Sequence, residues 1–290
     1  MKYLVLVLLM NLAIFANDVG DNQVSDRETK QSMDNWLSGI FGLQAYKSNY
    51  LLPYGYATKV YKSYTPTDSY MNAEAELQVS LKFNVANDLV GLDEAYFLSY
   101  THNAFWQVYS ESSPFRETNY NPEGFVVVPV SDSYTFLHIQ SLKLALAHKS
   151  NGQGSNKDVV YSNPADNLGN RSRSFNYVYS TLRLKHGALL TDYTYMARLP
   201  EKADTDDNPD LMDYLGNSEL KFSYFSGKHM YSLMGRENFS TGFGAVEGTY
   251  SYPLLHSTYL YVKAFNGYGE SLIDYNNEVT KFSIGFSFSR

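Results

Sequence analysis

From residue 43 to its end the chain consists of stretches of about ten residues whose polarity alternates, each closing on Gly, Asn, Asp or Pro. Alternation at every second position puts successive side chains on opposite faces of a strand, a pattern that an amphipathic helix does not produce. The last stretch is the clearest, with Phe282, Ile284, Phe286 and Phe288 set against Lys281, Ser283, Gly285 and Ser287. Twelve stretches can be drawn: 43 to 56, 73 to 85, 94 to 106, 123 to 131, 135 to 148, 174 to 186, 188 to 200, 217 to 227, 229 to 237, 242 to 255, 258 to 267 and 278 to 289. Between them lie tight turns such as Lys185-His186-Gly187 and long polar loops such as 149 to 173 and 201 to 216.

Periodicity alone does not separate a soluble sandwich, whose apolar face meets a core, from a barrel, whose apolar face meets lipid. Two further features favour the barrel. Tyr, Trp and Phe cluster near the stretch ends, where aromatic girdles sit, in a chain with 27 Tyr and 17 Phe. The chain also opens like a secreted protein: Met1-Lys2, an apolar run from Tyr3 to Met10, then Asn11 to Ala16. This reads as a signal peptide over 1–16, followed by a polar extension over 17–42 and a barrel over 43–290. An all-β, 12-stranded antiparallel transmembrane β-barrel is therefore expected, closed because no backbone group can stay unpaired in hydrocarbon.

Composition removes several classes of function. No later run reaches the roughly 20 apolar residues of a bilayer helix, which excludes a helical inner-membrane protein. With no cysteine there are no disulfides, thiolate metal sites or cysteine nucleophiles. A net charge of −7 without basic clusters argues against nucleic acid as a partner.

On 135 to 148 the even positions His138, Gln140, Leu142, Leu144, Leu146 and His148 oppose Ser141, Lys143, Ala145 and Ala147. Lys143 belongs in a polar interior, so the leucines and His148 face outward. On 174 to 186 the same reasoning turns Asn176 outward with Val178, Leu182 and Leu184, against Arg183 and Lys185. A hairpin of these two strands sets His148 and Asn176 at one rim, and Ser150 keeps their parity if the strand continues. A histidine between an amide and a serine is what a hydroxyl nucleophile requires. Asparagine fixes the imidazole tautomer but stabilises imidazolium less than aspartate would, so moderate activity is expected. His-x-Ser is a weak pattern by itself, and on spacing and parity ordinary interfacial polar residues account for it more readily.

Glu111-Ser112-Ser113-Pro114-Phe115-Arg116-Glu117-Thr118-Asn119-Tyr120, with Asn121-Pro122 after it, resembles the signature of the outer membrane phospholipase A family. His148-x-Ser150-Asn151-Gly152 and Ser172-Arg173-Ser174-Phe175-Asn176 resemble its catalytic motifs. The resemblance implies a twelve-stranded barrel in the outer membrane of a Gram-negative bacterium. It would be a phospholipase A, hydrolysing phospholipid and lysophospholipid acyl esters, with dependence on calcium and activation by dimerisation. It further implies Ser150 as nucleophile, His148 as base and acid, and Asn176 as orienter. Ca2+ would be held by the Gln153 carbonyl, the Ser172 hydroxyl and Ser112 of a second copy. Arg116 and Glu117 are expected as a buried pair supporting the rim.

Two departures stand out. A polar insert over 154–171 occupies a place where the family needs few residues, and Gln153 replaces an arginine, a change that a backbone carbonyl tolerates. His102 stands where the family has a glutamine at the dimer seam. Partners expected are membrane phospholipids and a reversible homodimer. The competing function for such a barrel is a non-enzymatic pore or an adhesion protein.

Overall fold

The computed structural model describes residues 43–61, 69–130, 137–154, 171–203, 206–255 and 257–290. The expected signal peptide over 1–16, the extension over 17–42 and most of the insert lie outside them. The strands run β1 (Leu43–Ala45), β2 (Tyr50–Ala57), β3 (Ala73–Asn87), β4 (Ala95–Trp106), β5 (Phe115–Pro129), β6 (Ile139–Ser150) and β7 (Ser174–His186). They continue as β8 (Leu189–Arg198), β9 (Ser218–Ser226), β10 (His229–Glu237), β11 (Gly244–Leu255), β12 (Thr258–Gly267) and β13 (Val279–Ser287). A five-residue helix α1 (Leu211–Leu215) interrupts the loop before β9.

Successive strands pair antiparallel, and β13 returns to pair with β2, which closes the sheet. β1 and β2 both pair with β3, at Leu43↔Phe83 and Tyr50↔Gln78, so they are one barrel strand interrupted at 46–49. Across that gap the Asn49 side chain replaces the ladder: its Oδ1 accepts from the Ser80 N–H at 2.6 Å and its Nδ2 donates to the Ser80 carbonyl at 3.2 Å. The architecture is a closed, twelve-stranded antiparallel β-barrel, as the alternation predicts.

Parity decides the two faces. Phe282, Ile284, Phe286 and Phe288 are exposed on the outer wall, while Lys281, Ser283 and Ser287 are buried in the lumen. Gly285 lies where a Cβ would come within 2.3 Å of the Leu51 carbonyl, so only glycine fits this inward position beside the β2 irregularity. The lumen near the long-loop rim is filled by ions. Arg116 Nε and Nη2 donate to the two carboxylate oxygens of Glu74 at 2.8 and 2.9 Å, and Nη1 donates to Asp274. Lys281 reaches Glu74, Glu76 and Glu270 at 2.9, 3.2 and 3.1 Å, and Lys263 pairs with Glu76. Buried charges are tolerated only when paired, and these pairs link strands that are not direct neighbours in the sheet.

Eleven of the twelve stretches overlap their strands to within a few residues. The fourth begins at Phe115 and not at 123. Pro122 and the polar run Arg116 to Asn121 hide the alternation there, and a bulge adds to the irregularity: Phe105 faces Glu117, yet Trp106 faces Phe115. The extra residue is Arg116, so Arg116 and Glu117 are both buried in the interior. The two do not form the expected pair. Arg116 goes to Glu74 and Asp274, whereas Glu117 accepts from the Ile273 N–H at 3.0 Å and from Asn119 Nδ2 at 2.6 Å.

Candidate active site

Residues of even number on β6 follow the exposed Leu144 and Leu146 onto the outer wall, and His148 and Ser150 continue that row to the strand end. The β6–β7 register sets His148 directly opposite Asn176, and Ser150 opposite Ser174. His148 Nδ1 lies 2.9 Å from Asn176 Oδ1. An amide oxygen cannot donate, so Nδ1 carries the proton, and Nε2 is left as the nitrogen that can accept one. Ser150 is two residues further on the same face, about 7 Å along the strand. Its hydroxyl makes no hydrogen bond to the imidazole among the described residues. Serine and histidine thus share a face and a rim, with the tautomer set before the hydroxyl is engaged.

Three residues that lie within the motifs but were given no role there hold this arrangement. Pro122 lies across from His148 on β5, in a gap of the β5–β6 ladder between Tyr120↔Ser150 and Glu123↔Ala147. Proline has no N–H to give. The Asn121 side chain supplies the missing donor from the lumen side: its Nδ2 reaches the His148 carbonyl at 2.8 Å and the Tyr177 hydroxyl at 3.0 Å.

Asn151 is the second. It is buried, and its Oδ1 accepts from the N–H groups of Gln153 and Arg173 at 3.2 and 3.0 Å. Its Nδ2 donates to the Arg171 carbonyl at 2.8 Å, and its backbone N–H to the Arg173 carbonyl at 3.0 Å. One side chain therefore clasps both ends of the β6–β7 loop and brings Gln153 and Ser172 to the mouth of the same hairpin.

Tyr120 is the third. It sits opposite both Ser150 and His102, and its ring is 5.0 Å from the His102 ring. Gly152 turns above it at φ +64°, where a Cβ would lie 2.9 Å from the tyrosine ring. Only glycine satisfies both the left-handed backbone and that contact. His102, Tyr120 and Ser150 form one row across β4, β5 and β6, so His102 is two strand spacings, about 10 Å, from the serine.

Ser112 is exposed, at φ +60°, on the loop between β4 and β5 at the same rim. That loop is anchored by Trp106 Nε1 to the Ser113 carbonyl at 2.8 Å and by buried Gln107, whose Oε1 accepts from the Met71 N–H at 2.7 Å. Within one chain Ser112 is not hydrogen-bonded to Ser172 or Gln153 among the described residues. No group of three His, Asp or Glu capable of holding a metal occurs among the described residues. A Ser172 hydroxyl and a Gln153 carbonyl are hard, neutral oxygen donors. They fit calcium and not a metal that prefers nitrogen or sulfur, and they leave the set incomplete within one barrel.

A family model described as Phospholipase A1 matches residues 26–288. Phospholipase A1 of Escherichia coli (strain K12) is 31% identical over 296 residues, covering 98% of this chain and 96% of that protein. A putative phospholipase A1 of Neisseria meningitidis serogroup B is 33% identical over 272 residues, 88% of this chain and 67% of that protein. The barrel is similar to the crystal structure of the Salmonella typhi outer membrane phospholipase dimer with bound calcium. The TM-score is 0.75 at 32% identity, with 89% of this chain and 97% of that chain covered. A tautomer-fixing His–Asn pair on the outer wall and a match along nearly the whole barrel converge, and the chain belongs to the outer membrane phospholipase A (phospholipase A1) family.

Proposed function

We propose that this outer-membrane enzyme cleaves acyl esters of phospholipids and lysophospholipids at Ser150, His148 and Asn176, in a calcium-dependent dimer. The observation that carries the reading is the 2.9 Å contact between His148 Nδ1 and Asn176 Oδ1 on the lipid-facing wall. A substrate in the bilayer reaches that face without leaving the membrane.

Ser150 Oγ attacks the ester carbonyl carbon while His148 Nε2 takes its proton. Asn176 holds the ring as it becomes imidazolium. Collapse of the tetrahedral adduct expels the lysophospholipid oxygen, which takes the proton from His148. Water, deprotonated by the same nitrogen, then releases the fatty acid from Ser150. The Ser172 hydroxyl and the Gln153 carbonyl would hold calcium together with Ser112 of a second copy, and the ion when bound supplies positive charge for the oxyanion. Because Ser112 does not join the other two donors within one chain, each site would be completed by pairing of two barrels.

Fatty-acid release from micellar phospholipid by the purified protein tests the reading. EDTA is expected to abolish it and excess calcium to restore it, and hydrolysis that continues unchanged in chelator would overturn the proposed calcium dependence. The seam is tested separately. His102 is half-buried on the outer wall against Tyr120, one polar ring among lipid-facing residues, where a second copy could satisfy it. Such contacts are worth about 1 kcal/mol, so His102→Leu is expected to lower cross-linked dimer roughly five-fold. Equal cross-linking and equal hydrolysis would remove His102 from the seam.

A further inference from the structure

The outer wall next to His148 carries a groove that the three proposed catalytic residues do not account for. Among the described residues it has a volume of about 730 Å3, within the roughly 300–1,000 Å3 usual for small-molecule sites, and its floor is Gly124 on β5. Leu98 on β4 and Leu146 on β6 stand directly opposite Gly124 and form the two banks, with Val178 beyond on β7. All three are exposed, so the groove opens outward into the acyl phase.

The fold does not ask for this glycine. Gly152 is dictated by a left-handed backbone and Gly285 by a close contact, whereas Gly124 has neither: its φ is not positive, and a Cβ there would meet only Leu98 Cδ2, at an ordinary 3.5 Å. Glycine inside a strand costs conformational freedom and packs no side chain, and it often marks a place where a ligand approaches the backbone.

The groove leads to the proposed base. Two residues nearer the long-loop rim, Pro122 is exposed and lies across from His148. Ser150 ends β6, yet its partner Tyr120 lies well inside β5, so the strands lean and a line dropped from Ser150 into the membrane crosses from β6 onto β5. Gly124 is four residues along and one strand across from Ser150, about 14 Å, against about 15 Å for one leaflet of the hydrocarbon core. The far half of a long acyl chain whose ester sits at Ser150 reaches Gly124. A short chain does not.

We propose, on the acyl-ester reading above, that Gly124 selects acyl-chain length: the groove it opens holds the distal half of the fatty acyl group whose carbonyl lies at Ser150. Lipid already surrounds the chain with an apolar medium, so the groove contributes positioning of the chain, and through it of the carbonyl, and not removal from water.

Calcium-dependent hydrolysis of dihexadecanoyl and dioctanoyl phosphatidylcholine, each diluted into the same detergent micelles, tests this through the ratio of their kcat/KM values. Gly124→Leu is expected to lower the hexadecanoyl-to-octanoyl ratio about ten-fold, the lower end of what one methylene-sized change brings in an apolar pocket. Gly124→Ala, whose Cβ has room beside Leu98, should move it the same way by about two-fold. Gly248→Leu is the control: it adds the same bulk at an uncrowded, outward-facing glycine of β11, between Leu233 and Ala264, and should leave the ratio at its parental value. A ratio unmoved in both Gly124 variants, or moved equally by Gly248→Leu, overturns the role of Gly124 and leaves the acyl-ester reading intact. Loss of both rates in step with loss of cross-linked dimer overturns it too, by assigning the groove to the seam. A parent protein that hydrolyses neither ester removes the acyl-ester reading and this selection with it.

Discussion

Replacing Ser150 by alanine is expected to lower fatty-acid release by about four orders of magnitude or more, with the heat-modifiable mobility of the folded barrel unchanged. Ser150 sits at the end of β6 on the outer wall, so losing its hydroxyl removes no buried hydrogen bond and opens no core cavity. The role proposed for it is confined to chemistry. His148→Ala should cost a similar factor, and the double variant little more than either single one, because groups that act as a unit do not contribute additively. Rates for the two single variants that multiply in the double would mean that the residues act independently. Full activity of Ser150→Ala would dismiss it as the nucleophile.

Replacing Arg116 by alanine should have the largest effect on stability. This side chain, 2% exposed, holds Glu74 through two parallel bonds and Asp274 through a third, and lies 3.8 Å over the Tyr61 ring. Its removal leaves buried carboxylates short of a partner, which typically costs about 3–5 kcal/mol. The midpoint of guanidinium unfolding, read by the mobility shift, should fall accordingly. Arg116→Lys should rescue only part of the loss, since an ammonium cannot span both carboxylates with a planar fork. An unmoved midpoint in the alanine variant would show that the lumen network contributes nothing net.

The barrel was legible because lipid on one side and ions on the other write the strongest possible alternation into a strand. Parity alone turned His148 and Asn176 outward, and the register then made them direct neighbours. The start of β5 was not legible. Its alternation is broken by Pro122 and by the bulge at Arg116, and a bulge exists only relative to a partner strand that the local sequence does not show. The pairing of Arg116 and Glu117 failed for the same reason: adjacent residues normally point apart, and the bulge that turns both inward sends them to different partners. Asn121, Asn151 and Tyr120 stand in the motifs, but their positioning roles are not legible there because each acts across the β5–β6 or β6–β7 contact. Pro122 was the available signal, since a proline inside a paired strand leaves an acceptor that some side chain must serve.

The wall that carries His148 is a single sheet thick, with the proposed base on one side and Lys143, which donates to the Tyr46 hydroxyl, on the other. Neighbouring positions on β6 therefore answer to unrelated demands, the proposed turnover on one surface and the packing of a polar lumen on the other. An enzyme made this way can retune its chemistry by stepping two residues along a strand without disturbing what keeps the cylinder shut.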